Sequence, residues 1–437
     1  MSLLNRAWRL LFRRAWQPLA FPSKDFVQIP ASERVEEETI PDYVASRYYP
    51  TQIGEILQDR FQIVGKLGFG ITSTVWLARD LRECRHVALK LFINSKSMGS
   101  ELDNELNIYK RMESASKDHP GRSAIRPLLD SLDVDGPNGR HRCLVHPPLW
   151  ESVLDIRHRN PVRRLPEPVV AFVLKRLFQA LDFLHIECHV AHTDIKEANM
   201  LLGADSSVLR DFEQKEIEEP CPRKEVDGRI IYSSRELNTP KDFGAPVLCD
   251  LGSAVPLDDG AEHREDIQPN VYRAPEVILD IPWTYSVDIW NVGCMVWDAF
   301  EGEHLFTGHD PELQTYRGRA HLAEMIALLG PPPPSLLARA NLRSKFFSDA
   351  GELCAQASPG QSRGILCSLT THFLSGDFCA GIPLPKLASL EHRESSLEGE
   401  DRQCFLRLMR KMLQWEPEKR SSARELVEDE WILRHTE

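Results

Sequence analysis

The stretch His192-Thr193-Asp194-Ile195-Lys196-Glu197-Ala198-Asn199, followed by the apolar step Met200-Leu201-Leu202, constrains this chain more than any other. Upstream, Phe172, Leu174, Leu177, Leu181 and Leu184 have the spacing of one helix face, so a helix over 172–184 is expected. A short apolar step, Cys188 to Ala191, leads from it into the polar stretch. There a carboxylate, an ammonium two residues on and an amide three further share one loop. Such a set suits phosphoryl transfer. Asp194 orients a hydroxyl, Lys196 neutralises phosphate charge, and the amide oxygen of Asn199 holds a metal ion. The plainer reading is a polar loop after a helix, and it weakens with each partner the rest of the chain supplies.

The stretch resembles the catalytic loop of protein kinases, His-Arg-Asp-x-Lys-x-x-x-Asn, with Thr193 in place of the arginine. Its His-Thr-Asp-Ile-Lys form looks closer still to the kinases of serine/arginine-rich splicing proteins. Asp266-Ile267-Gln268 and Ser73-Thr74-Val75-Trp76-Leu77 carry the same resemblance. It implies an α+β, bilobal protein kinase fold. A small β-rich N-lobe is expected over 50–149 and a larger helical C-lobe over 150–437, after an extension at 1–49.

Phe61 to Ala78 reads as strand, glycine turn, strand. By the kinase pattern, Gly68 and Gly70 let the backbone approach the phosphates, Val75 lies over the adenine, and Ser73 stands where a third glycine is usual. The resemblance adds Leu67 and Ala88 to the ATP-binding residues. His86 to Phe92 is an apolar strand interrupted by Lys90, whose buried ammonium requires an anion. A phosphate and a helical carboxylate both serve. Glu105, on a helix expected over 102–112, is the expected carboxylate, with Glu101 the lesser candidate. The bland alternative is an edge-strand lysine reaching out to water. By analogy, His146-Pro147-Pro148-Leu149 is the hinge and His146 its gatekeeper. Pro147 keeps a carbonyl for an adenine amino group, and Leu149 keeps both backbone groups.

Past the catalytic stretch, an insert at about 203–245 carries the acidic run Asp211 to Glu219. Asp242-Phe243-Gly244 matches the kinase metal-binding triplet in its letters. It follows Thr239-Pro240-Lys241, however, which cannot be a core strand. Pro246 to Cys249 can, so the metal ligand is expected at Asp250 of Asp250-Leu251-Gly252. Farther on, Glu276 of Ala274-Pro275-Glu276 is expected to be buried and paired with Arg420, and Asp288 to brace the catalytic loop from a helix start. His185, His189 and His192 lack a cysteine or carboxylate to complete a metal set and read as core or loop residues. The tail from Phe405 to Trp431 has helical periodicity, His321 to Leu329 is an amphipathic helix, and Pro359 to Gly364 is a turn-rich break.

Residues 1–22 hold Arg6, Arg9, Arg13 and Arg14, no acidic residue, and interleaved Leu, Trp and Phe. This basic amphipathic helix pattern fits a mitochondrial presequence, a membrane-surface anchor or an extension docked on the domain. Glu33 to Asp42 reads as an acidic linker. The net charge of −12 favours basic partners over nucleic acid, and no apolar run is long enough to span a membrane. Ten cysteines without a Cys-x-x-Cys pair suggest a reducing compartment, cytoplasmic or nuclear, and no disulfide framework. The resemblance implies a monomeric serine/threonine kinase for Arg-Ser-rich proteins, using ATP and magnesium. Its rival is a catalytically silent scaffold of the same fold.

Overall fold

The computed structural model describes residues 15–98, 103–258, 260–348, 377–386 and 389–436. They fall into two compact units, one within Met1–Tyr109, Arg126–Glu151 and Leu201–Ala245, the other within Lys110–Ile125, Ser152–Met200 and Pro246–Glu437.

The first unit is built on six antiparallel strands: β1 (Ile56–Leu57), β2 (Phe61–Phe69), β3 (Ser73–Asp80), β4 (Arg85–Asn94), β5 (Asp130–Gly136) and β6 (Gly139–His146). Their order is β1-β2-β3-β4-β6-β5. Alternation puts Phe61, Ile63, Trp76, Val87, Leu89, Leu91, Cys143 and Val145 into one core. The insert completes that core with Cys221 and Tyr232. The helix Ser206–Glu218 packs Val208, Leu209 and Phe212 against Val64 and Leu77 in a second cluster. Burying Phe212 there is worth about 1.5–3 kcal/mol. It needs glycine at position 65, where an added Cβ would lie 2.7 Å from the Phe212 ring. Most of the acidic run is therefore a packed helix, and two of its carboxylates are paired: Glu213 with Arg79 and His86, Glu216 with Arg223 and Arg235. The sequence placed this insert with the second half of the chain. The structure groups it with the first sheet, because that is where its apolar face is buried.

The N-terminal segment joins the same unit. Residues 15–22 carry no helix. Trp16 stacks on the Arg79 guanidinium, and Leu19 exchanges two hydrogen bonds with the Gln62 side chain. Residues 1–14 of the expected amphipathic helix lie outside the described residues. The stretch read as a linker forms a 3-10 turn, Glu36–Thr39, with Glu37 buried.

In the second unit the expected helix begins earlier, at Glu167, and runs to Asp182 before a π turn over Phe183–Glu187. Val170, Leu174, Leu177 and Leu181 are buried, while Phe172 is 44% exposed. The helix Ser286–Glu301 is buried along its length from Val287 onward and forms the centre of the unit. Gly318–Leu329 and Gly399–Met412 are further helices, and the tail continues through Ala423–Val427 and Glu430–Thr436. The tail packs Phe405 and Trp431 against Phe300. The break at 359–364 lies outside the described residues. Among those described, seven cysteines are free, and no helix is long and apolar enough to cross a membrane.

Candidate active site

The first unit holds the residues expected to bind nucleotide. Gly68 pairs with Val75 across the β2–β3 hairpin, and Gly70 N–H closes the turn on Ser73 O at 2.8 Å. Neither glycine has a positive φ. An added Cβ would meet nothing within 4 Å at Gly68 and only Ser73 O, at 3.9 Å, at Gly70. No neighbouring protein atom demands glycine there. Open space over a bare backbone is what a closely approaching phosphate requires. The register pairs Val75 with Lys90, Lys90 with Leu144, and Ala88 with His146, so these side chains share one face of the sheet. Leu67, which precedes Gly68, is half-buried.

Lys90 Nζ lies 2.7 Å from Glu105 Oε2, and Glu105 is 4% exposed. Glu105 sits in the first turn of the helix Asn104–Ser114. The lysine is thus a partnered, inward-facing cation rather than one reaching for water. Glu101 lies outside the described residues. At the expected hinge, the Pro147 carbonyl accepts from Arg126 Nη2 at 3.0 Å, which leaves it one further lone pair. Leu149 opens the short strand Leu149–Ser152. His146 is buried against Tyr109, and burial holds its pKa well below the usual imidazole value.

The catalytic stretch belongs to the second unit and is fixed mainly by Asp288. Its Oδ2 accepts the His192 N–H and its Oδ1 the Thr193 N–H, both at 2.8 Å. His185 Nε2 is also 2.8 Å from Oδ2. Thr193 takes a φ of 65°, a left-handed conformation that costs a β-branched residue of order 1–3 kcal/mol. The two amides in the Asp288 carboxylate hold it there, together with the Thr193 hydroxyl, which donates to Ser253 O at 2.8 Å. Asp194 Oδ2 receives Lys196 Nζ at 2.7 Å and Asn199 Nδ2 at 3.0 Å. Asn199 Nδ2 also donates to Asp194 O at 2.8 Å, so its amide oxygen is the atom left for a metal.

Cys249 is pinned to this loop from both sides. Its N–H donates to Asn199 O at 2.8 Å, and its carbonyl lies 3.1 Å from His192 Nε2. The next residue is Asp250, exposed and left-handed at φ 61°. A carboxylate thus follows directly on the residue bonded to Asn199. Asp242 instead lies exposed in the first unit, in a loop where Phe243 contacts Trp150 and Gly244 abuts Gly203. The expected pair Glu276–Arg420 is present: Nη1–Oε1 is 2.6 Å, Nη2–Oε2 is 2.7 Å, and both side chains are fully buried.

Several supports have roles that the sequence does not reveal. Glu197 is buried beside Arg157, and burial raises its carboxyl to about 7 even though the guanidinium pulls it down. Gln268 accepts the Ala274 N–H at 2.8 Å and donates to Val287 O at 2.9 Å, tying the segment before Ala-Pro-Glu to the central helix. Arg111 meets Asp258 at 2.6 Å, and this pairing holds the Asp258 carboxyl below its usual range. Among the described residues, the three histidines near the loop form no metal set.

The protein kinase domain model matches residues 61–432. A serine/threonine protein kinase of Aspergillus fumigatus is 38% identical over 427 residues, covering 97% of each chain. The serine/threonine-protein kinase SRPK of Physarum polycephalum is 30% identical over 421 residues, covering 91% of each. SRSF protein kinase 3 of Mus musculus is 23% identical over 462 residues, covering 74% of this chain and 81% of its own.

Proposed function

Because this chain belongs to the protein kinase family and is a serine/threonine kinase, we propose that it phosphorylates serine in basic, Arg-Ser-rich proteins. The observation that carries the chemistry is the cluster in which Asp194, Lys196 and Asn199 share hydrogen bonds beside Asp250. ATP supplies the γ-phosphoryl group, and magnesium the positive charge that offsets its oxygens. Asp194 orients the serine hydroxyl and accepts its proton. Lys196 neutralises charge on the transferred group, and Asn199 and Asp250 are the metal ligands. Lys90, held by Glu105, meets the phosphates. Gly68 and Gly70 cover them, and Leu67, Val75, Ala88, Pro147 and Leu149 take the adenine. No lysine or metal ligand is missing, which disfavours a silent scaffold.

Support for the substrate class is the likeness to kinases named SRPK and SRSF protein kinase, together with the net charge of −12. Initial rates on Arg-Ser and Asp-Ser repeat peptides at two salt concentrations test it. The Arg-Ser peptide should be phosphorylated faster, with the advantage shrinking as salt rises. Equal rates would remove the substrate class and leave the kinase.

Activity is expected without phosphorylation of residues 252–276, the stretch that the kinase pattern makes the activation segment. Thr193 brings no cation beside Asp194 that would await a phosphate, and its hydroxyl already bonds Ser253 O. Arg111, which reaches the segment, is paired with the Asp258 carboxylate. Arg273 is paired with Asp266 at 3.1 Å, and Arg264 with Glu262 and Asp280. Protein from bacteria, treated with phosphatase, should retain full turnover, as should Ser253→Ala. Loss of activity restored by rephosphorylation would contradict this.

A further inference from the structure

Two segments outside the six-stranded sheet converge on its glycine hairpin. Lys66 immediately precedes Leu67 and is 1% exposed, so its ammonium has lost its water and requires anions in place of it. They come from the N-terminal segment. Lys66 Nζ is bonded to Glu37 Oε2, with Glu36 Oε2 at 3.4 Å, and it donates to Tyr232 O of the insert at 3.2 Å. The Glu36 carboxylate also accepts the N–H and hydroxyl of Ser234, at 2.8 and 2.7 Å. The Lys66 carbonyl accepts the Arg235 N–H at 2.9 Å. The root of the hairpin is thus bound through side chain and backbone alike.

The tip is bound as well. Ile71 turns its side chain to solvent, 74% exposed, yet its carbonyl accepts from the Tyr48 hydroxyl at 2.8 Å. The same hydroxyl lies 3.4 Å from Gly70 O. Tyr48 is 4% exposed and packs on Tyr43. Arg229 of the insert donates to the carbonyls of Ala45 and Tyr48, each at 2.8 Å, which fixes the segment carrying the tyrosine. A hairpin tip that keeps its side chain in water while its carbonyl is held by a buried hydroxyl is anchored for the sake of its backbone.

We propose that Tyr48 and the Lys66–Glu37 pair are positioning residues for the glycine hairpin, tying its tip and root so that one backbone conformation is presented to the nucleotide phosphates. The proposal rests on the kinase reading. Releasing the tip lowers the population of the binding-competent hairpin, and apparent nucleotide affinity falls by the same fraction.

Tyr48→Phe removes only the hydroxyl. One lost hydrogen bond predicts a KM for ATP raised about fivefold, with kcat within about twofold of wild type. The Kd for a non-hydrolysable ATP analogue with magnesium, measured by calorimetry on the full chain, should rise in parallel. Tyr49→Phe is the comparison: its hydroxyl bonds the Glu55 carboxylate and not a carbonyl of the hairpin tip, so it should leave KM unchanged. Lys66→Met strands the buried Glu37 carboxylate and is expected to cost thermal stability, so Tyr48→Phe decides the matter. A KM and Kd unchanged in Tyr48→Phe, or shifted equally in Tyr49→Phe, overturns the tether. Wild-type protein that binds no ATP analogue overturns the kinase reading instead.

Discussion

Lys90→Met and Asp250→Ala each reduce phosphoryl transfer by about 100-fold or more while leaving a folded protein. Lys90→Met removes the cation that Glu105 holds and that is proposed to meet the phosphates, and it leaves that carboxylate, 4% exposed, without its lysine. Asp250→Ala removes the carboxylate that follows the residue pinned between Asn199 and His192. Asp242→Ala is the internal comparison and should stay within about twofold of wild type, since its side chain is exposed in a loop of the first unit. Initial rates with purified variants, alongside circular dichroism to establish folding, give the answer. Full turnover in Asp250→Ala with a loss in Asp242→Ala would move the metal to the other triplet.

The largest stability loss is expected at Glu276–Arg420. Both side chains are fully buried and joined by two charge-assisted hydrogen bonds, and Arg420 also donates to Ser286 O at 2.9 Å. Removing one partner leaves the other charge buried and uncompensated. Arg420→Met should therefore destabilise the second unit by about 3–5 kcal/mol. Replacing both with apolar residues of similar volume, as in Glu276→Leu with Arg420→Met, should recover most of that, because no stranded charge remains. Urea unfolding midpoints for the single and double variants test the pair. A single variant as stable as wild type would mean that the pair contributes little to holding the unit together.

Elements that fall in the kinase pattern or at a helix or strand boundary were readable in the sequence, whatever the separation of their partners. Lys90 and Glu105 are fifteen residues apart and find each other. Asp288 was placed at a helix start and accepts the two loop amides, and Glu276 with Arg420 follows the kinase pattern across 144 residues. Asp250 was chosen over Asp242 because a strand can precede only the former, and the structure bonds Cys249 to the catalytic loop.

What escaped the sequence has a common physical form. Glu36 to Glu38 looks like solvated charge because no motif links the carboxylates to their partners: Lys66 for Glu36 and Glu37, Lys224 for Glu38. The insert looked like a charged excursion because only every third or fourth residue of Ser206–Glu218 is apolar. That is enough to bury Val208, Leu209 and Phe212 on the sheet. The early start of the helix at Glu167 was masked by Pro166 and Pro168, which are tolerated in a first turn. The left-handed Thr193 had no sequence signal, since β-branched residues are rare there and only the Asp288 and Ser253 contacts hold it.

The most direct test of the central claim is transfer of labelled γ-phosphate from ATP to serine by the purified full chain, on an Arg-Ser repeat peptide, with magnesium and with EDTA. The account predicts phosphoserine that accumulates with time, depends on magnesium and is absent in Asp194→Asn. ATP binding of ordinary affinity with no transfer to any serine or threonine substrate would contradict it and point to a silent scaffold.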